Sequence, residues 1–592
     1  MKKFWIVFAL VAVIIGGGFG LFWYAVSQLE ETVTVDGGVL VWEVGGGFPE
    51  ERDDSFIGQM RGAGELTLRE VLFSLYRAAD DDRITALVMD MRAVSTDWAK
   101  IDELRTAVAA FQAKDKSVIA YVDGAGTREY ALACAADQVV MSPEATLLVL
   151  GVTAELDFYR DTLDKLGMKA DFIHVGAYKS APERMTRQEP SDANREMIES
   201  IVDDRYDALL NLLAESRGTD PDKAGDWVDR GLFDTPSAIA AGLADTSLYF
   251  EEMMDLHFGD EDLTYLADYV LDRPGGNRAE QRVAVVYVTG VIMPGESRFD
   301  RFQGKIAGST TVVEHLQSVG EDEDVDAVVL RVDSPGGSAL ASDLIWKQIQ
   351  TVQEQKPVIV SMSGMAASGG YYVSCLGDSV FADAGTLTGS IGVYAGKMDR
   401  SAMYEKIGVN REFITRGENA LLFSDEGVFT PRQRELFQTQ MNEFYERFLD
   451  KVAAGRGLSR DAVHAVAQGR VWTGRQGVER GLVDGTGGLH RALTSAKWML
   501  GLTATDKVTV VTFGEEMTML ERMLLRSFRQ GGGLGRLAMR LSEWDAAAEG
   551  SALGMMPWPT LLRTLRENGT LAAVSLLDGR PVAMAPYWLT VH

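Results

Sequence analysis

A chain of 592 residues, 46% apolar and 24% charged, is too long for a single hydrophobic core. Its formal charge of -28 excludes nucleic acid as a partner, because binding a polyanion needs basic patches that release counterions. The two cysteines, Cys134 and Cys375, belong to no CxxC or Cys/His cluster, and no HExxH, EF-hand or P-loop pattern occurs, so no metal and no cofactor is expected. A disulfide between the two cysteines stays open at this level, since sequence cannot say whether the sulfurs meet.

In chain order, Lys2 and Lys3 precede an uncharged apolar run from Phe4 to Val26. About 20 apolar residues span a hydrocarbon core of roughly 30 Å. The run exceeds the roughly 7–15 apolar residues of a cleaved signal peptide. Trp23 and Tyr24 at its far end suit an interfacial belt. Residues 1–27 are therefore expected to be an uncleaved transmembrane anchor, with the lysines in the cytoplasm and the rest of the chain outside.

The remainder reads as a duplication. Gly37–Gly46 (GGVLVWEVGG) is echoed by Arg282–Ile292 (RVAVVYVTGVI), and Ile84–Arg92 (ITALVMDMR) by Val325–Asp333 (VDAVVLRVD). Lys116–Gly124 matches Lys356–Gly364, Tyr130–Asp137 matches Tyr371–Asp378, and the strand-like Asp171–Gly176 (DFIHVG) matches Glu412–Gly417 (EFITRG). The offset is 240 from Lys116 to Lys356 and 241 from both Cys134 to Cys375 and Gly176 to Gly417. Helical spacing marks Asp102–Phe111 and Ala341–Val352, alternating with short apolar β-branched runs, which predicts α/β units with buried parallel strands. A helical insert covers Ser191–Ala214, and Asp272–Asn277 reads as a linker. The expected domains are 28–275 and 280–500, followed by a tail, 501–592, whose role the sequence does not give. Within that tail Leu520–Phe528 reads as a packed amphipathic helix.

The copies differ where chemistry would reside. After the strand Val358–Ser361, the second copy has Ser368 between Ala367 and the pair Gly369–Gly370, a tight turn whose N–H groups can face an oxyanion. Aligned on Cys134, the first copy has Thr127, Arg128 and Glu129 there. Conversely, Lys179 in GAYKSAPE of the first copy aligns with Ala420 of the second. Lysine serves as a base near neutrality only when desolvation lowers its pKa from about 10.4. Two further runs are candidates: RVDSPGGS (Arg331–Ser338), where Gly336 or Gly337 offers a second backbone donor, and TLTGSIGV (Thr386–Val393), where Ser390 is placed to orient Lys179. Taken singly these are a helix start, a surface lysine, a β-turn and a glycine-rich turn. The reciprocal loss of serine and lysine joins them into one site.

RVDSPGGS, AASGGYY, TLTGSIGV and GAYKS together resemble the signal peptide peptidase A family, also called protease IV, in its long duplicated bacterial form. The resemblance covers about Gly37 to Leu500. It implies a fold akin to the crotonase and Clp protease group, built of duplicated ββα repeats, and a serine–lysine dyad split between the halves. Carried over by motif, Ser368 is the expected nucleophile, Lys179 the general base, Ser390 its hydrogen-bond partner, and Gly336 and Gly369 the oxyanion donors. It further implies a homotetramer on the periplasmic face of the bacterial inner membrane that degrades released signal peptides. Tyr371–Tyr372 and the acidic stretch Glu321–Asp326 are places where this chain departs from the family. His174, five residues before Lys179, is the nearest histidine for a Ser–His–Asp triad, but strand alternation puts it on the opposite face. From other classes, a crotonase-fold acyl-CoA enzyme is opposed by export away from cytoplasmic CoA. A non-catalytic membrane scaffold leaves the reciprocal retention of Ser368 and Lys179 without a reason.

Overall fold

Strands made of consecutive apolar residues need cover on both faces, and parallel pairing through helical crossovers supplies it. The computed structural model describes residues 35–52, 65–272, 279–300, 303–513 and the backbone of 582–584. The expected anchor, all of the expected linker but Asp272, and most of the tail lie outside the described residues. Among the described residues no helix is long and apolar enough to cross a membrane.

In the first copy, β1 (Gly38–Gly46), β2 (Ile84–Val94), β3 (Ser117–Val122) and β4 (Gln138–Met141) form a parallel sheet in the order Thr246–Ser247, β4, β3, β2, β1, Leu263–Tyr265. The crossovers are α1 (Leu68–Ala79), begun by a Thr67–Glu70 capping box, and α2 (Trp98–Gln112), capped by Asp97. α2 contains the expected helix Asp102–Phe111, and α3 (Thr127–Ala133) follows β3. β5 (Lys169–Val175) leaves this sheet altogether. The predicted insert is α4 (Asp192–Ser216), capped by Ser191.

The second copy repeats the plan. β6 (Arg282–Thr289) and β7 (Ala327–Ser334) pair in parallel, β8 (Gly336–Ser338) follows after Pro335, and β9 (Val358–Ala367) pairs with β7 in parallel. The sheet runs Val471–Thr473, β10 (Leu387–Gly389), β9, β7, β6, Thr509–Phe513. Its helices include α5 (Ala339–Gln353) and α6 (Gly369–Ser374).

A third sheet ties the copies together. It runs Arg298–Asp300, Gly304–Gly308, Val291–Met293, β8, β12 (Val582–Met584), β11 (Val393–Asp399), β5. β5 of the first copy and β11 of the second pair antiparallel over their whole lengths, from Val175↔Val393 to Lys169↔Asp399. β12 lies between β8 and β11, antiparallel to both, with Gly337 opposite Ala583 and Tyr394 opposite Val582.

A buried ionic cluster makes a second tie. Arg331 on β7 is fully buried and donates to Glu50 at 2.9 and 2.8 Å, to Glu103 of α2, and to Ser361 at 2.7 Å. Lys100 of α2 lies 3.4 Å from Asp333. Burial pushes the Glu50 carboxyl up, but the charges of Arg331 and Lys100 outweigh it and hold it at about 2.

Two points differ from or complete the sequence reading. The expected strand Glu412–Gly417 has no regular structure and is exposed, and among the described residues no strand pairs with it. Cys134 and Cys375 are both buried and free, so the open question of a disulfide closes against one.

Candidate active site

Ser368 stands at the junction of β9 and α6, as the residue that caps the helix, with φ 55° and ψ -110°. A non-glycine residue at positive φ is costly and persists only where its surroundings impose it. Here the Ser368 N–H donates to the Gly389 carbonyl at 2.8 Å, and the Ser368 carbonyl accepts from Tyr372 N–H at 2.8 Å. The two following glycines are required by space. A Cβ on Gly369 would lie 2.6 Å from Ser342 Oγ and 3.1 Å from Gly336 Cα, and one on Gly370 would lie 2.6 Å from the Ser334 carbonyl oxygen. This close approach sets the start of α6 against Gly336 and Gly337. The first N–H groups of a helix have no intrahelical acceptor, so those of α6 open beside the Ser368 hydroxyl. The Gly336 N–H is already engaged, donating to Ser334 Oγ at 3.1 Å. In the first copy the same junction is filled differently: Thr127 exchanges hydrogen bonds with Leu150, and Glu129 accepts from Val94 N–H at 2.8 Å.

Lys179 arrives from the other copy. β5 ends at Val175, Gly176 turns the chain, and Tyr178 N–H donates to the Gln468 carbonyl at 2.9 Å. Gly469 makes room for it, since a Cβ there would lie 2.6 Å from the Lys179 backbone. The amine then reaches across the β5–β11 junction. Lys179 Nζ is 2.8 Å from Ser368 Oγ, 2.9 Å from Ser390 Oγ and 3.0 Å from the Ser390 carbonyl oxygen. Lys179 is 0% exposed. Burial holds its ammonium form well below the usual lysine range, and no carboxylate offsets this. Ser390, also at positive φ (52°), is fixed through its N–H to the Arg470 carbonyl at 2.7 Å.

Of the residues singled out from sequence, Ser368, Lys179 and Ser390 thus meet at one buried point, with Gly336, Gly337 and Gly369 packed beside it. His174 lies on an exposed position of β5 with its ring against the Gly176 carbonyl, so it is not part of this group. Sequence reading missed the supporting turn Gln468–Arg470, the Ser342 hydroxyl under Gly369, and β12. Nothing periodic marks any of them, and a Gln–Gly step after a helix was the one available hint of the turn. Among the described residues no group of His, Cys, Asp and Glu side chains is arranged to hold a metal ion.

The sequence model described as Peptidase family S49 matches residues 110–257 and 350–503, one stretch in each copy. The chain belongs to peptidase family S49. Within this S49 peptidase a Clp protease model also matches residues 302–382, in keeping with its α/β sheets and a Clp-protease-like fold. The chain is 33% identical over 484 residues to "Serine protease SPPA, chloroplastic" of Arabidopsis thaliana, covering 78% of this chain and 69% of that protein. It is 30% identical over 534 residues to "Protease 4" of Haemophilus influenzae, covering 85% and 86%. A "Putative signal peptide peptidase SppA" of Enterococcus faecium is 33% identical over 242 residues, 40% of this chain and 69% of that one.

Proposed function

We propose that this S49 serine protease hydrolyses peptide bonds with a Ser368–Lys179 dyad. The observation that supports it is the 2.8 Å contact between a fully buried lysine amine and a serine hydroxyl, with no carboxylate to keep the amine charged. A neutral amine has one lone pair and two N–H groups. If the lone pair accepts the Ser368 proton, the two N–H groups match the two Ser390 oxygens at 2.9 and 3.0 Å. Ser368 Oγ attacks the scissile carbonyl, Lys179 takes its proton, and the resulting ammonium delivers it to the leaving amine. Lys179 then activates water to release the acyl group. Gly369 N–H at the start of α6 is one oxyanion donor, and Gly337 supplies the other, since the Gly336 N–H is held by Ser334 Oγ. Each contributes about 3 kcal/mol.

The substrate binds as an added strand between β8 and β11, the slot that β12 fills. Such pairing suits extended apolar peptides, and the names of the relatives point to cleaved signal peptides as substrates. We further infer a single-pass anchor in a bacterial inner membrane, with the dyad on the periplasmic side in a homotetramer, a reading supported by the run Phe4–Val26 and the family resemblance. The test is acylation by a serine-directed reagent together with turnover of a signal peptide. Wild-type protein is labelled at Ser368 and active, whereas Ser368→Ala and Lys179→Met are folded and inactive. A Lys179→Met protein with near-normal turnover removes the dyad.

A further inference from the structure

The short turn Gln468–Arg470 holds both the lysine and the serine beside it. The Gln468 carbonyl accepts from Tyr178 N–H at 2.9 Å, Gly469 N–H donates to the Ile391 carbonyl at 2.7 Å, and the Arg470 carbonyl accepts from Ser390 N–H at 2.7 Å. Gly469 packs so closely on Lys179 that a Cβ there would lie 2.6 Å from the Lys179 N, Cα and Cβ atoms. The turn therefore fixes where the amine begins, where its Ser390 acceptors stand, and the cover over its backbone. Gln468 itself is at φ 57°, a conformation a non-glycine residue keeps only where its surroundings impose it. Those surroundings grip it on both sides: Tyr178 bonds its carbonyl, and its N–H donates to Tyr445 Oη at 3.2 Å.

Tyr445 lies on the helix Pro431–Arg456 and is 3% exposed. Burial pushes its phenol up, so it keeps its proton near neutrality. Its oxygen accepts from Gln468, which leaves its own hydrogen for a second partner. That partner is His464 on the helix Arg460–Val466, with Nδ1 at 3.1 Å and the two rings edge-on at 68°. Nδ1 accepts only as the unprotonated nitrogen of the ring. A chain of donors and acceptors thus runs from exposed His464 through buried Tyr445 to the Gln468 peptide.

We propose that Tyr445, oriented by His464, is a positioning residue for the general base: its hydroxyl locks the Gln468–Arg470 turn, and the turn holds Lys179 and Ser390 in place. The inference rests on the dyad reading above and extends it to two residues outside the site. Without the hydroxyl, the Gln468 N–H loses its acceptor and the positive φ loses one of its two restraints. The turn relaxes, Gly469 draws back from Lys179, and water gains access to the amine. Two effects follow. The amine meets Ser368 less often in productive geometry, and its basicity rises toward the ordinary lysine value as burial is lost.

The test is steady-state hydrolysis of a fluorogenic peptide across pH by the full chain in detergent. Tyr445→Phe keeps the ring and removes only the hydroxyl. It is expected to lower kcat at least about fivefold with KM within about twofold of wild type. Its acid limb is expected to move up by about half a pH unit or more, which loss of stability alone would not cause. His464→Leu, at an exposed position, is expected to shift kcat and the limb in the same directions by less. His464→Asn, whose amide oxygen can accept the Tyr445 hydrogen, is expected to recover most of that loss. Because the two residues act in series, Tyr445→Phe combined with His464→Leu should be no worse than Tyr445→Phe alone. The proposal is overturned by a Tyr445→Phe kcat within about twofold of wild type, by a limb that stays or moves down, by His464→Leu behaving as wild type, or by losses that multiply in the double variant. Lys179→Met, assayed alongside, separates the two readings. Turnover without the lysine removes the dyad and this inference with it, whereas an inactive Lys179→Met beside a normal Tyr445→Phe removes the inference alone.

Discussion

Replacing Ser390 by alanine tests the division of labour around the lysine amine. In the neutral form the proposed dyad requires, Lys179 has two N–H groups, and the acceptors within reach are Ser390 Oγ, the Ser390 carbonyl and Ser368 Oγ, at 2.9, 3.0 and 2.8 Å. Alanine removes the first and leaves the second. At a residue with no exposure, the released N–H has only Ser368 Oγ to turn to, which makes the amine a donor toward the alcohol it should deprotonate. Orphaning or misdirecting one buried donor costs about 1–3 kcal/mol, equivalent to roughly 5- to 150-fold in kcat. KM should change little, since the side chain faces the lysine. The acid limb of the rate profile should move to lower pH, because losing an acceptor disfavours the ammonium form more than the neutral one. Steady-state kinetics on a fluorogenic peptide across pH, with a thermal melt to confirm the fold, reads both effects. A kcat within about twofold of wild type, or an acid limb that moves upward, refutes the orienting role.

Lys179→Met should abolish turnover yet stabilise the protein. Between the depressed folded pKa and the unfolded value of 10.5 the unfolded chain binds one more proton, so wild-type stability rises with pH across that window. Urea denaturation at several pH values should show this slope in wild type and its loss in the variant. Arg331→Met leaves Glu50 and Glu103 buried without their cation and should cost about 3–5 kcal/mol. Adding Glu50→Gln and Glu103→Gln should restore most of the loss, again by denaturant midpoint. Ending the chain before Val582 empties the slot between β8 and β11 and should lower KM for short peptides; an unchanged KM places substrate elsewhere.

The α/β plan was legible because parallel strands covered on both faces are written as apolar runs: Arg282–Thr289 and Ala327–Ser334 are mostly apolar and mostly buried. Helices were legible through their caps and periodicity, as at Ser191 before α4. The burial of Lys179 was not. GAYKSAPE reads like a surface loop, and what buries it is a turn at Gln468–Gly469, nearly 290 positions away, that carries no periodic signal. The Glu50–Arg331–Glu103 cluster was hidden for the same reason, since each residue is ordinary in its own element. Glu412–Gly417 shows the opposite failure. Its pattern matches β5 closely, but a strand is a property of two segments, and among the described residues no second one lies beside it.

Dividing the serine and the lysine between two copies makes the site a property of the junction rather than of either sheet. Ser368 is positioned by β9, β10 and α6, all within the second copy, whereas Lys179 is delivered by β5 of the first. What keeps the two within 2.8 Å is the β5–β11 ladder on one side and the Arg331–Glu50–Glu103 cluster on the other. Those ties differ physically. A ladder of backbone hydrogen bonds resists sliding along the strands, since a one-residue slip would turn every side chain to the other face. A buried ion cluster resists separation, because parting it leaves unpaired charge away from water. Together they restrain both motions that would carry the amine away from the hydroxyl. In the proposed dyad, a lysine that needs burial to act as a base is buried by the same contact that brings it to its serine, so an opened junction would lose proximity and basicity in one step.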